Sequence, residues 1–255
     1  SRRIRAVLTD HTPWVKKSRL RPFRKRMRSV TRGLGKAREL DVTLGLLATI
    51  RKPQAGPERA AALYAGRYLR GLRDEESPLV DAGVALVRDV DFRTELNELI
   101  GAVRSSKSCY LVFAGDALRA RADDLECAYS CWKNLHSEEH LHRIRLALKK
   151  FRYSCELFER LFGPSMGELI AQIKELQDAL GAWNDHRVLR SYLEACEPHA
   201  TPKAAQGLPS LRRFVAERTN QLYEEAIAAI HPFFEKELQD RIRVLVETPA
   251  HRCCN

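Results

Sequence analysis

The chain has 255 residues, of which 44% are hydrophobic and 30% charged, and its net charge is +11. This composition is typical of a soluble globular protein that is large enough to bury a core. No apolar run approaches the ~20 residues that a membrane-spanning helix needs. Between His11 and Arg38 there are eleven lysines and arginines and no acidic residue. Charge concentrated in this way indicates an anionic partner such as nucleic acid, an acidic membrane surface or polyphosphate.

The cysteines and the first residues of the chain give predictions about the cellular compartment of the protein and about its first helix. Seven cysteines occur at irregular spacing, without a CxxC pair or a Cys/His spacing suited to zinc. Reduced thiols in a cytoplasm are therefore expected. No signal peptide is visible. The opening run SRRIRAVL reads as the inside of a helix, so we expect the first helix to be truncated at Ser1.

Taken in chain order, the sequence predicts helices nearly throughout. Apolar residues recur at spacings of three and four, and alternating strand-like runs are absent. Glycine, proline and other turn residues divide the pattern at a few places. The predicted breaks are His11–Pro13, Lys52–Pro57, Ser105–Lys107, Asn134–Ser137, Gly163–Pro164, Glu197–Pro209 and His231–Pro232. The fold class predicted is all-α.

An internal repeat relates the two halves of the chain. An apolar stripe in the first half recurs 146 residues later with identical 3-4-3-4 spacing, and each copy ends in Leu-Gly. The two stripes are Leu20, Phe23, Met27, Val30, Leu34 and Met166, Leu169, Ile173, Leu176, Leu180. We interpret the chain as two repeats, 1–133 and 134–255, each predicted to form a four-helix bundle and related by a pseudo-twofold axis.

The run LHRIRLALKKFRY at 141–153 gathers cations and contains no acid; Glu156 is the first to follow. Ser137, followed by two glutamates, is predicted to cap the start of this helix. One sector of about 80° carries the cations, and an adjacent sector is apolar. The cationic sector comprises His142, Arg145, Lys149 and Arg152, and the apolar one Ile144, Leu148, Phe151 and Cys155.

A second basic stripe accompanies the first apolar stripe. It is formed by Lys17, Arg21, Arg24 and Arg28 at spacings of four, three and four. The matching helix of the second repeat is nearly neutral and retains Lys174 opposite Arg28. We expect the two repeats to contribute unequally to a shared anion-binding surface.

Several motifs resemble one family, the CHAD domain (conserved histidine α-helical domain). The string H-x-x-R-x-x-x-K-K-x-R-Y at 142–153 resembles its signature, and RRIRA at 2–6 resembles the tail of its first basic helix. LGKARELDV at 34–42 and LGAWND at 180–185 resemble its two Leu-Gly elements. The resemblance spans essentially the whole chain. The first-repeat histidine and its following arginine would lie upstream of Ser1, so that part of the pattern is incomplete.

The resemblance implies two helical bundles around a central basic pore that binds inorganic polyphosphate, with association with polyphosphate granules in bacteria. The residues expected to bind are Arg2, Arg5, Arg21, Arg24, Arg28, Arg38, His142, Arg145, Lys149, Arg152 and Lys174. Structural alternatives stay open for several of them. The 145–152 cations would also suit a solvated helix face, Arg38 would also pair with Asp41, and His142 would also serve as a hydrogen-bond donor near the helix start.

Polyphosphate carries about one charge per phosphate and no base, so arginine forks and salt-sensitive binding suit it. We predict a non-enzymatic protein without cofactor or metal, because no Walker A loop, carboxylate cluster, alternating-glutamate tunnel pattern or RHG motif occurs. We expect a monomer or weak oligomer. The alternatives are a helical nucleic-acid-binding protein and a granule scaffold that docks proteins or lipid through the same basic surface.

Overall fold

The computed structural model describes residues 17–52, 55–104, 110–235, 238 and 240–245, with side chains at most of these positions. They are helical almost throughout and include no strand, which confirms the all-α prediction. The helices are α1 (Lys17–Arg51), α2 (Gly56–Glu75), α3 (Ser77–Arg88), α4 (Val90–Arg104), α5 (Tyr110–Leu135), α6 (Glu138–Phe162), α7 (Pro164–Cys196) and α8 (Pro202–Glu235). The 3₁₀ turn Glu197–His199 separates α7 from α8, and residues 240–245 are again helical.

Breaks predicted from turn residues agree with the described connections in three places. Helix α1 ends at Arg51 and α2 begins at Gly56, residues 136–137 separate α5 from α6, and α6 ends before Gly163, where a φ of 73° suits glycine. The predicted breaks at 11–13 and 105–107 lie outside the described residues. Two further breaks, at Glu76 and Asp89, were not predicted; proline within the first turn of α3 is the signal that accompanies the former.

Two prolines predicted to interrupt helices lie inside α8 instead. The break at His231–Pro232 was wrong because α8 continues to Glu235, and the break at Glu197–Pro209 ends at Pro202, where α8 begins. Buried side chains stand on both sides of each proline: Leu208 and Leu211 around Pro209, and Ile230 and Phe233 around Pro232. The burial of these apolar groups favours a continuous helix over the local cost of a missing backbone donor.

Both apolar stripes are core, as their spacing predicts. Nine of their ten members are buried, and Leu34 is partly buried. Trp132 and Trp183 are also buried and belong to the core. The division into two repeats stays a prediction. The pseudo-twofold axis and the pore stay predictions.

The described residues form two compact units that interleave along the chain. Unit 1 takes residues within 1–24, 94–181 and 225–255, and unit 2 takes 25–93 and 182–224. The predicted repeats, 1–133 and 134–255, are continuous in sequence, whereas each compact unit combines several chain segments. The units therefore do not test the predicted repeat boundary, which stays a prediction.

Unit 1 is built around α5 and α6, which pack against each other and are joined by the two residues His136 and Ser137. A three-ring cluster of Tyr110, Phe113 and Phe158 ties the two helices together, with ring centroids 5.8 to 6.0 Å apart. Edge and tilted contacts of this kind add to the burial of apolar surface. Helix α6 is therefore held rigidly along its apolar sector.

Unit 2 has its own apolar core, contributed by α1, α2, α7 and α8. Its centre includes Leu40, Leu69, Leu193 and Leu211, all fully buried. Gly207 lies against the backbone of Pro57 so closely that a Cβ there would overlap the carbonyl. Glycine is thus required at this position by the approach of α8 to the start of α2.

Candidate functional site

The start of α6 follows from its capping residues. Ser137 has extended backbone dihedrals, and its side-chain oxygen accepts a hydrogen bond from the His140 backbone N–H at 3.3 Å. Glu138 and Glu139 occupy the first turn, where the helix dipole favours negative charge. These contacts confirm the predicted cap, and they fix the register that assigns every later side chain of α6 to a face.

Helix α6 presents two kinds of cation. The predicted sector (His142, Arg145, Lys149 and Arg152) is half-buried at all four positions. Two other cations of the same helix lie outside this sector and are exposed: Arg143 and Lys150. Arg160, in the last turn of the helix, lies at the same angle as His142 and is also exposed. The predicted sector is therefore not a fully solvated helix face. Its cations are concentrated where bulk water has only partial access, and there a phosphate oxygen interacts more strongly than on an open surface.

Arg152 has hydrogen-bonding capacity that its neighbours do not use. Its guanidinium Nη1 lies 3.8 Å from Glu156 Oε1, close enough for charge attraction but beyond a hydrogen bond. The buried Nε atom of Arg152 donates no hydrogen bond. The guanidinium carbon is 5.2 Å from the centroid of the Tyr153 ring, which holds the planar group in place. An oriented guanidinium with an unused donor is suited to an oxyanion.

Glu156 is a site residue whose role was not predicted. The first acid after the cationic run lies four residues beyond Arg152, a spacing that puts both side chains on the same face of a helix. Both side chains are largely shielded, with 21% exposure for Arg152 and 17% for Glu156. The acid-free appearance of the run therefore ends within reach of its last arginine, and Glu156 competes with any anionic ligand for that charge.

The other predicted residues divide between the two units. Arg21, Arg24 and Lys174 belong to unit 1 together with the four cations of α6, whereas Arg28 and Arg38 belong to unit 2. Arg24 is half-buried, and Arg21, Arg28, Arg38 and Lys174 are exposed. Arg2 and Arg5 lie outside the described residues. Seven of the nine described candidates thus belong to a single compact unit.

The first Leu-Gly element provides charge pairs within unit 2. Asp41 Oδ1 accepts a hydrogen bond from Arg73 Nε at 2.9 Å, so Arg73 takes the position beside Asp41 that was considered for Arg38. The sequence alone could not identify Arg73 as the partner of Asp41, because Arg73 belongs to α2 and lies 32 residues from Asp41 in the chain. Arg38 itself is exposed to solvent.

Lys36 of the same element is balanced by its own network. Its Nζ lies 2.8 Å from Glu39 Oε1, which also accepts a hydrogen bond from the Tyr192 hydroxyl at 2.9 Å. Burial lowers the pKa of Lys36, but its hydrogen bonds with Glu39 and Tyr192 outweigh burial and leave the pKa above its usual value. Lys36 therefore stays charged, and its charge is already compensated inside unit 2.

The second Leu-Gly element places another arginine beside an aromatic ring. Arg187 Nη2 donates to Asn184 Oδ1 at 3.3 Å, and its guanidinium carbon is 5.6 Å from the Trp183 ring centroid. The Nε atom of Arg187 is buried and donates no hydrogen bond. Arg187 was not among the predicted binding residues, although it lies only two residues after the LGAWND motif. It resembles Arg152 in being an oriented guanidinium with an unused donor.

These arrangements are suited to holding an anion. Within the described part of the chain, no group of three or more His, Cys, Asp or Glu side chains is placed to hold a metal ion. No helix among the described residues is long and apolar enough to cross a membrane.

The family model described as CHAD domain matches residues 1–194, about three quarters of the chain. A search of curated proteins found no match.

Proposed function

We propose that this chain, a member of the CHAD domain family, binds inorganic polyphosphate through the cationic sector of α6 without catalysing a reaction on it. The observation that carries the proposal is the burial contrast within that one helix. The cations at 142, 145, 149 and 152 are half-buried, whereas Arg143 and Lys150, which lie outside the sector, are exposed. Cations kept close together under partial shielding repel one another, and a polyanion relieves that repulsion.

The ligand class follows from the donors present. Polyphosphate offers a row of equivalent oxygens and no base, so it needs cations at short intervals and no reading of base edges. Arg145, Lys149 and Arg152 recur at spacings of four and three, which puts their Cα atoms at about 5–6 Å intervals along one face. Successive phosphate units can therefore meet successive cations. Binding should release counterions and weaken steeply as salt rises.

A matched pair of double variants tests the proposal. Lys149→Ala with Arg152→Ala removes two cations of the sector, and Arg143→Ala with Lys150→Ala removes two exposed cations from the same helix. The net charge changes by the same amount in both. Calorimetric titration with long-chain polyphosphate should show a loss of at least ~30-fold for the first variant and less than ~3-fold for the second. Equal losses would mean that only overall charge matters, and the sector would then not be the site.

Competition distinguishes polyphosphate from nucleic acid. The protein with bound fluorescent polyphosphate is challenged with duplex DNA or single-stranded RNA at equal phosphate concentration and moderate salt. We expect less than half of the label to be displaced, because the half-buried sector suits a thin unbranched chain better than a duplex. Displacement by nucleic acid as effective as by unlabelled polyphosphate would favour the nucleic-acid-binding alternative.

Absence of catalysis and location in the cell are tested separately. We propose that prolonged incubation with polyphosphate releases no orthophosphate, with or without added Mg²⁺; release that follows the protein concentration would overturn this. We also propose cytoplasmic granule association through bound polyphosphate. A fluorescent fusion should collect on granules, and the Lys149→Ala/Arg152→Ala variant should not. Granule location that survives in the variant would instead favour the scaffold alternative.

A further inference from the structure

Helix α5 carries two thiols on one face, at a distance from the proposed polyphosphate site in sequence and on a different helix. Cys127 and Cys131 are both free; Cys127 is exposed and Cys131 partly exposed. Their separation of four residues places them about 40° apart on the helix wheel, one turn above the other. The two other described cysteines, Cys155 and Cys196, are buried. Accessible thiols therefore occur together within the described residues.

The geometry of a helix decides what this pair can do. Side chains at i and i+4 have Cβ atoms roughly 5–6 Å apart, whereas a disulfide needs about 3.5–4.5 Å. A disulfide between Cys127 and Cys131 would therefore require α5 to unwind. An ion held between two sulfurs at roughly 2.3 Å each spans roughly 4.5 Å, which the same two side chains can reach in a regular helix.

The surroundings of the pair favour a cation. Asp123 and Asp124 lie four and three residues before Cys127 and are both exposed. Asp124 Oδ2 is 3.2 Å from Arg121 Nη1. Two exposed carboxylates thus stand within about one turn of Cys127, on a chain whose net charge is +11. Carboxylates beside a thiol favour the approach of a cation over that of an anion.

The number of protein ligands narrows the kind of ion. No third His, Cys, Asp or Glu among the described residues completes a three-ligand site here. Zinc, which prefers four ligands in tetrahedral geometry, is therefore poorly served. Thiolates select soft ions. Ions that accept two thiolates in a nearly linear arrangement, such as Cu(I), Ag(I) and Hg(II), need nothing further from the protein.

We propose that Cys127 and Cys131 form a two-thiolate site for a single soft metal ion on the exposed face of α5. Binding of Cu(I) replaces two S–H protons with two S–Cu bonds, releases both protons to water and leaves copper in the +1 state. The rigidity of α5, which is anchored to α6 by the Tyr110–Phe113–Phe158 cluster, holds the two sulfurs on one face in the absence of the ion.

The test uses the full chain with Cys109, Cys253 and Cys254 changed to serine, so that four thiols remain. Burial raises the pKa of both Cys155 and Cys196, so these two should stay protonated and slow to react. A chromogenic thiol reagent should then report two fast thiols in the native protein. One equivalent of Cu(I), delivered under anaerobic conditions from a coloured competing chelator, should protect both and raise the unfolding temperature.

Three variants in this background decide the outcome. Cys127→Ser or Cys131→Ser alone should weaken Cu(I) binding at least 100-fold and leave the remaining thiol reactive. Cys131→Ser with Asn134→Cys keeps two thiols on the same face but separates them by about 10.5 Å along the helix axis. This variant should behave like a single-thiol variant. Far-ultraviolet circular dichroism checks that each variant is folded. Undiminished binding in a single-thiol variant, equally tight binding in the spacing variant, or an air-formed Cys127–Cys131 disulfide in the folded protein would each overturn the proposal.

Discussion

Replacement of Glu156 by glutamine should tighten polyphosphate binding, because this carboxylate competes with phosphate for Arg152. The two side chains are 3.8 Å apart, and both are largely shielded from water. Coulomb's law at that distance gives an attraction between ~1 kcal/mol in a water-like dielectric and ~4 kcal/mol at an effective dielectric of 20. Both charges have also lost part of their hydration, which offsets most of this attraction, so we take a net value of ~1 kcal/mol, which corresponds to about a fivefold gain in affinity.

The matched control for this prediction is Glu139→Gln. Glu139 accepts from Arg143 at 2.7 Å, also four residues along α6, but both side chains are well exposed and lie outside the cationic sector. Each substitution raises the net charge by one. Titrations with polyphosphate of defined length at two salt concentrations should show about fivefold tighter binding for Glu156→Gln and less than twofold for Glu139→Gln.

Two results would refute this reasoning. Equal tightening by both substitutions would mean that affinity follows net charge and not the Arg152–Glu156 contact. Weaker binding by Glu156→Gln would mean that the carboxylate positions Arg152 for the ligand and does not compete with it. A variant with Arg152→Ala added to Glu156→Gln should lose the gain, because the competition requires both partners.

Three predictions concern stability. Gly207→Ala should destabilise the protein by at least ~1–3 kcal/mol in urea unfolding, because the added methyl overlaps the Pro57 carbonyl; a change below ~0.5 kcal/mol would contradict the described approach. Ser137→Ala should cost ~1 kcal/mol through loss of the cap on α6, with Ser165→Ala as the exposed control. The free energy of unfolding should fall above about pH 9, because burial raises the pKa of Cys155, so that the thiol ionises in the unfolded chain but not in the folded one. Its contribution is at most about 1.4 kcal/mol per pH unit, and the slope between pH 9 and 10 should be smaller in Cys155→Ala; an unchanged slope would assign the effect to other groups.

Much of the site could be identified from sequence because it is contained in one helix. The apolar and cationic sectors of α6 are both set by the 100° step between residues, and the Ser137 cap is recognised within four residues. The i,i+4 spacing also indicates the pairing of Arg152 with Glu156. It was not predicted because Glu156 was considered only as the end of the acid-free run. Arg187 was missed for a different reason: its value depends on the burial of its Nε atom, which no local pattern reports.

Helix content, the buried stripes and the cationic sector of α6 were determined by the sequence alone, since each depends on the chemistry of neighbours within one or two turns. The tertiary structure decided that Asp41 pairs with Arg73 from another helix and that Pro209 and Pro232 lie inside α8. It also decided which cations of α6 are half-buried and which are exposed. These features depend on packing between segments far apart in the chain, where the burial of apolar side chains outweighs local preference.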